Sequence, residues 1–209
     1  MGMVGNTATN IVITEGEKKA LKADEEGFAT ISVPGVWGWC SQLGARQELD
    51  QIDWQNKTVF IVFDSDVTTK VDVKEAISAL VKHLREKGAD VRVVRLPEVD
   101  GCEKTGLDDF LVAHGRDELQ RLLDAAGDWF STLLEMIEPG MQADHLEETL
   151  QPIYRLIQQL GPVAQTNLAE QLRQQLRASG YAVPTKEEMK RAIRNVSSYR
   201  PEGSRPHET

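Results

Sequence analysis

The sequence predicts an α/β fold: a parallel four-stranded sheet with flanking helices, followed by a small all-α module. Three observations carry this. The run Val59-Phe60-Ile61-Val62-Phe63 is five consecutive apolar residues, as in strands buried on both faces of a parallel sheet. Further strand-like runs at Asn10–Thr14, Phe28–Val33 and Ala89–Leu96 alternate with helical periodicity, which is βαβ order and favours right-handed crossovers between parallel strands. From Asp128 onward the strand signals stop and only helical segments remain.

In chain order, Asn10–Thr14 is a short apolar strand, and Glu15-Gly16-Glu17-Lys18-Lys19-Ala20 turns it into a helix reaching about Glu26. Gly27 ends that helix and Phe28–Val33 is the second strand. Pro34-Gly35-Val36-Trp37-Gly38-Trp39 is a loop, and an amphipathic segment, Ser41 to Leu49, bridges to the central strand. After a polar turn, Val67-Thr68-Thr69, a helix spans about Val71 to Lys87, with Val73, Ala76, Ile77, Leu80, Val81 and Leu84 on one face. Gly88 closes it and Ala89–Leu96 forms the fourth strand. A polar loop, Pro97 to Gly106, leads into a short helix start at Leu107–Leu111, and a further helix covers about Asp117 to Ala126. Trp129–Ile137, Ala143–Leu160, Gln165–Ser179 and Lys186–Asn195 read as helices separated by Pro139-Gly140, Gly161-Pro162 and Gly180. The expected organisation is a catalytic domain over 1–127, a helical module over 128–196 and a disordered tail over 197–209, rich in Pro, Gly, Ser and charge.

A chain of 209 residues, 40% hydrophobic and 27% charged, belongs among soluble globular proteins, and no apolar run reaches the roughly 20 residues of a membrane span. The first ten residues lack the basic-then-apolar pattern of a secretory signal, so a cytoplasmic address is expected. Cys40 and Cys102 lie far apart without metal-ligand spacing and read as free thiols. A net charge of −9 argues against coating nucleic acid by bulk electrostatics, but leaves open a protein that meets phosphates through metal ions. Residues 165–209 form the mildly basic part, with 8 Lys and Arg against 5 Asp and Glu.

The chemistry points to the strand ends. Asp64-Ser65-Asp66 follows the central strand at its C-terminal end, where open α/β sheets bind ligands. Two acids alternating there suit a hard divalent cation; equally, Asp and Ser are ordinary turn residues, and on this stretch alone the two readings weigh the same. Glu15 ends the first strand, and Asp108 with Asp109 opens the helix after the fourth. If the sheet is doubly wound with the first and third strands adjacent, these carboxylates share one edge. Several close carboxylates cannot all stay ionised without a cation, and oxygen donors without nearby His or Cys favour Mg²⁺ or Mn²⁺ over Zn²⁺.

The blocks Glu15-Gly16-Glu17-Lys18-Lys19-Ala20, Pro34-Gly35-Val36-Trp37, Phe63-Asp64-Ser65-Asp66 and Lys104-Thr105-Gly106-Leu107-Asp108-Asp109-Phe110-Leu111 resemble the Toprim-like, Rossmann-like domain of phage, plasmid and mobile-element replication proteins, often fused to a helicase. The resemblance covers roughly residues 10–125 and extends more distantly to the Toprim domains of bacterial primases, topoisomerases and some nucleases. It implies Mg²⁺-dependent nucleotidyl transfer on a single-stranded DNA template with nucleoside triphosphates, with a helicase domain or subunit as partner. Under it, Glu15 is the general acid/base or a metal contact, Asp64 and Asp66 are catalytic metal ligands, and Asp108 or Asp109 completes the shell. Lys18, Lys19 and Lys104 become phosphate contacts, although for each alone the reading as a solvated surface charge outweighs it. Trp37 and Trp39 could stack on bases or pack over the sheet edge. Other readings are a Toprim-type nuclease, a non-catalytic nucleic-acid or partner-binding module, and a haloacid-dehalogenase-type phosphatase built on Phe63-Asp64-Ser65-Asp66, in which Glu15 has no role. Tyr154, Tyr181 and Tyr199 lie in the helical part and tail, and the chain is too short for a topoisomerase's strand-passing domain.

Overall fold

A computed structural model describes residues 9–41, 44–45, 47–65, 71–99 and 104–197. The chain divides into two compact units, Met1–Trp129 and Phe130–Thr209.

The first unit is built on four parallel strands, β1 (Asn10–Glu15), β2 (Thr30–Val33), β5 (Thr58–Val62) and β6 (Asp90–Val94), in the order β2-β1-β5-β6. Register aligns Ile13 with Ile31 on one side and Ile61 on the other, and Ile61 with Val93. Val59, Ile61 and Val62 are fully buried, as an unbroken apolar run requires when helices cover both sheet faces. On one face, Val12, Phe60, Val62 and Val94 form a core with Ala23 of α1 (Glu17–Glu25) and with Leu107, Phe110, Leu119 and Leu123 of α4 (Leu107–Ala125). Strand alternation turns Ile11, Ile13, Val59, Ile61, Val91 and Val93 to the other face. Helix α3 (Val71–Glu86) packs along β6, with Ile77, Leu80, Val81 and Leu84 buried as its apolar stripe predicts.

Two expectations change. The Ser41–Leu49 segment is not one amphipathic bridge: β3 (Cys40–Ser41) and β4 (Gly44–Ala45) pair as a small antiparallel ribbon before a single helical turn, α2 (Gln47–Asp50). The anchor behind it is the buried Trp54, whose indole N–H donates to the Leu49 carbonyl at 2.8 Å. The two helical pieces expected around residues 107–126 are both present within the span α4, parted at Gly115, whose φ of 77° and ψ of −179° are not helical and which only glycine adopts freely. The third expected module helix begins at Pro162 rather than Gln165, because proline at the first helical position sacrifices no hydrogen bond. The polar turn Val67–Thr69, Cys102 and residues 198–209 of the expected tail lie outside the described residues. The Cys40 thiol donates to the Trp37 carbonyl at 3.5 Å. Among the described residues no helix is long and apolar enough to cross a membrane.

The second unit holds most of α5 (Trp129–Glu135), with α6 (Ala143–Gln158), α7 (Pro162–Ala178) and α8 (Lys186–Asn195). Leu150, Ile153, Ile157, Leu172, Leu176, Met189 and Ile193 are buried. Side chains close the helix ends. The Gln158 amide donates to the carbonyls of Ile193 and Arg194 at 3.0 and 3.1 Å, and the Tyr181 hydroxyl donates to the Glu138 carbonyl at 2.6 Å. Tyr154 is buried, and desolvation first, then Glu147, pushes its phenol up to about 12, which leaves it unsuited to act as a nucleophile. Thr185 and Glu188 form a capping box at the start of α8. The Thr185 backbone N–H and then its hydroxyl hold the Glu188 carboxyl below its ordinary value.

Ile61→Ala should cost about 2–5 kcal/mol in urea unfolding, the usual range for truncating a fully buried Ile. Thr185→Ala should cost about 1 kcal/mol, followed by the helical signal. Because the Glu188 carboxyl titrates lower in the folded chain, its contribution is present above the ordinary value of about 4.3 and is lost as pH falls through the folded value. The gap between wild type and Thr185→Ala should therefore narrow below about pH 4.

Candidate active site

After β1 the chain crosses through α1 to β2 on one side, and after β5 it crosses through α3 to β6 on the other. Strand order thus reverses between β1 and β5, and such a switch point leaves a crevice outside the strands' carboxyl ends. Glu15 is the last residue of β1, opposite Val33, and half-buried. Gly16 then turns the chain into α1 with φ 89°, the left-handed region that disfavours any side chain, and its N–H donates to the Val33 carbonyl at 3.0 Å.

Asp64 stands two residues past β5 and is only 3% exposed. An ionised carboxylate at that depth needs partners, and it has two cations. Lys19, from the first turn of α1, donates to Oδ1, and the Lys104 ammonium donates to Oδ2 at 2.7 Å. Lys19 reaches Asp64 past Gly106: a Cβ on Gly106 would sit 2.7 Å from the Lys19 Cε and 2.8 Å from Asp108 Oδ1. Lys104 is brought in by lacing between two loops. The Ser65 N–H donates to the Thr105 carbonyl at 3.0 Å, the Thr105 N–H donates to Ser65 Oγ at 2.9 Å, and the Val99 N–H donates to Thr105 Oγ1 at 2.7 Å. Ser65 and the buried Thr105 are the positioning residues that sequence reasoning passed over; their signal was their place inside the two motif blocks, next to Asp64 and Lys104.

The remaining expected residues are spread along the same edge. Asp108 and Asp109 begin α4, where Asp109 Oδ2 accepts from the Gly106 N–H at 3.1 Å and so caps its own helix. Lys18 is exposed on α1, turned to a cavity of about 810 Å³ beside the ends of β1 and β2 that is also lined by Gly16, Ser32, Trp39 and Glu48. Trp37 is half-buried and its indole N–H donates to Asp72 Oδ1 of α3 at 3.0 Å, whereas Trp39 is buried with its ring 5.5 Å from that of His83. Asp66 lies outside the described residues.

Among the described residues no three His, Cys, Asp or Glu side chains converge on a ready-made metal site. The donor chemistry nonetheless fits a hard divalent ion. Glu15, Glu17, Asp64, Asp108 and Asp109 against Lys18, Lys19 and Lys104 are five negative and three positive groups, a net −2 supplied by carboxylates.

Three comparisons bear on this arrangement. Residues 3–118 match the family model described as Domain of unknown function (DUF3854). A DNA primase of Aquifex aeolicus (strain VF5) is 27% identical over 134 residues, 63% of this chain and 24% of that protein. The structure of the DnaG catalytic core superposes with a TM-score of 0.50 at 16% identity, covering 83% of this chain and 53% of that one. The DnaG primase catalytic domain bound to ssDNA gives 0.51 at 16% identity, covering 80% and 52%. The chain therefore spans about a quarter of the curated relative and about half of each solved chain, and the structural likeness establishes a shared Toprim-type α/β fold.

Gly106→Ala should destabilise by about 1–3 kcal/mol, because the added methyl pushes Lys19 off a buried carboxylate. In a Lys19→Ala background, which has no Cε to displace, the same change should cost much less. A double-mutant cycle in urea measures this coupling.

Proposed function

Because this chain belongs to the family described as Domain of unknown function (DUF3854), and has the Toprim-type fold of the DnaG catalytic core, we propose that it is the catalytic core of a DNA primase or primase-helicase serving a mobile element. The observation that carries the reading is the place of Glu15 and Asp64 at the ends of the adjacent strands β1 and β5, with Lys19 and Lys104 converging on the Asp64 carboxylate. The substrates would be a single-stranded DNA template and nucleoside triphosphates. The catalytic unit would correspond to residues 1–127, and the helical module over 128–196 would connect to a helicase domain or subunit.

In this reading the 3′-hydroxyl of the growing primer attacks the α-phosphorus of a nucleoside triphosphate and pyrophosphate leaves. Glu15, at the lip of the crevice, takes the hydroxyl proton. Lys18, Lys19 and Lys104 orient the phosphates, and the first two gain from the positive end of α1, where backbone N–H groups lack helical partners. Mg²⁺ or Mn²⁺, held by Asp64 with Asp66 and with Asp108 or Asp109, would neutralise charge building on the phosphoryl oxygens. Trp37 would sit beside the bases as a partly buried aromatic wall. The depth of Asp64 matters here, since electrostatic interactions are strongest where water is excluded.

Labelled ribonucleotide incorporation on single-stranded DNA tests the reading. Wild type should extend primers, while Glu15→Gln and Asp64→Asn should lose about 100-fold or more in rate with the fold retained. Cleavage of a labelled strand without incorporation would make the protein a nuclease using the same crevice. Neither activity in wild type would leave a binding module.

A further inference from the structure

Resting on the reading of this crevice as a phosphoryl-transfer site, the next question is how a divalent ion and two lysines share one buried carboxylate. Asp64 has two oxygens, and each already carries an ammonium group, one from Lys19 and one from Lys104. A divalent cation on those oxygens would lie within a few ångströms of both ammonium groups, and like charges at that range repel strongly away from bulk water. Yet among the described residues at these strand ends the five carboxylates named above outnumber the three lysines, which favours such an ion.

We propose that Lys19 and Lys104 are exchangeable cations of Asp64: a divalent ion taking the carboxylate displaces them, and the freed ammonium groups bind the oligophosphate of the incoming nucleotide. Both lysines are suited to this. The Lys104 side chain is 56% exposed and sits on the loop before α4, and Lys19 is 19% exposed at the anion-favouring end of α1. In the ion-free state the lysines keep Asp64 from standing unpaired in the core edge, and with the ion in place the phosphates keep the lysines from standing unpaired. Ion and oligophosphate thereby favour one another's binding, with a linkage that is reciprocal.

Two measurements on the full chain test this. Calorimetric titration with Mn²⁺ alone should show about ten-fold tighter binding in Lys104→Met and in Lys19→Met than in wild type. Lys104→Met keeps the test readable should loss of the more buried Lys19 unfold the chain. Titration with inorganic tripolyphosphate in EDTA should show about ten-fold tighter binding in Asp64→Asn, where the lysines are released without any ion, and that gain should vanish in Asp64→Asn/Lys104→Met. Mn²⁺ affinity that is unchanged or weaker in Lys104→Met overturns the proposal. So does a tripolyphosphate gain that is absent in Asp64→Asn or survives the loss of Lys104, since the latter would reflect only the removed charge. None of these readouts depends on primer synthesis, so failure here leaves the proposed reaction standing, and failure of primer synthesis leaves the exchange testable.

Discussion

One carboxylate governs this structure. Asp64 is almost fully buried at the end of the most buried strand, and a charge in that position is tolerable only if cations are delivered to it. The delivery comes from two separate parts of the chain. Lys19 arrives from the first crossover, on a helix that starts because Gly16 can turn β1 sharply into α1. Lys104 arrives from the loop after β6, held by the Ser65–Thr105 lacing, and the absence of a side chain at Gly106 leaves Lys19 its path. The loop around residues 104–106 is thus fitted to the end of β5 by a specific charge, two hydrogen bonds and one missing methyl group, with a third bond from Val99 bracing the loop itself.

That arrangement also explains why the sheet order matters for the chemistry. Were β1 and β5 not adjacent, Glu15 and Asp64 would end on different parts of the sheet edge. Adjacency with opposed crossovers puts them on the two lips of one crevice, and the helix α4, packed against the same face as α1, carries Asp108 and Asp109 to the rim. Burial of Val59, Ile61 and Val62 against neighbours in register keeps that crevice's floor stiff. Side chains mounted at the end of such an element are held more closely than side chains on a free loop.

Much of this was legible before any coordinates. The unbroken apolar run of β5 announced a doubly covered strand, the amphipathic stripe from Val73 to Leu84 announced α3, and the glycines at 16, 27 and 88 marked real turns. The short ribbon Cys40–Ala45 was not legible, because two-residue strands carry no periodicity and this one precedes a turn anchored by the distant Trp54. The break at Gly115 was legible, since the expected helix start at Leu107–Leu111 and the further helix from about Asp117 stand on either side of it. Trp37 was ambiguous: stacking platform and packed wall look identical in sequence, and its bond to Asp72 lies 35 residues away.

The sequence by itself determined the α/β class, the order of the elements and the residue types that gather at the strand ends, because hydrophobic period and turn chemistry are local properties written residue by residue. Only the tertiary structure decided that Asp64 is held by Lys19 and Lys104, that Asp109 spends one oxygen capping its own helix, and that Ser65 and Thr105 lace the two loops together. The Asp64 and Ser65–Thr105 pairings join residues 40 to 45 positions apart, and which of several nearby cations reaches a buried carboxylate depends on backbone positions, on free space at Gly106 and on depth from water, none of which has a local signature.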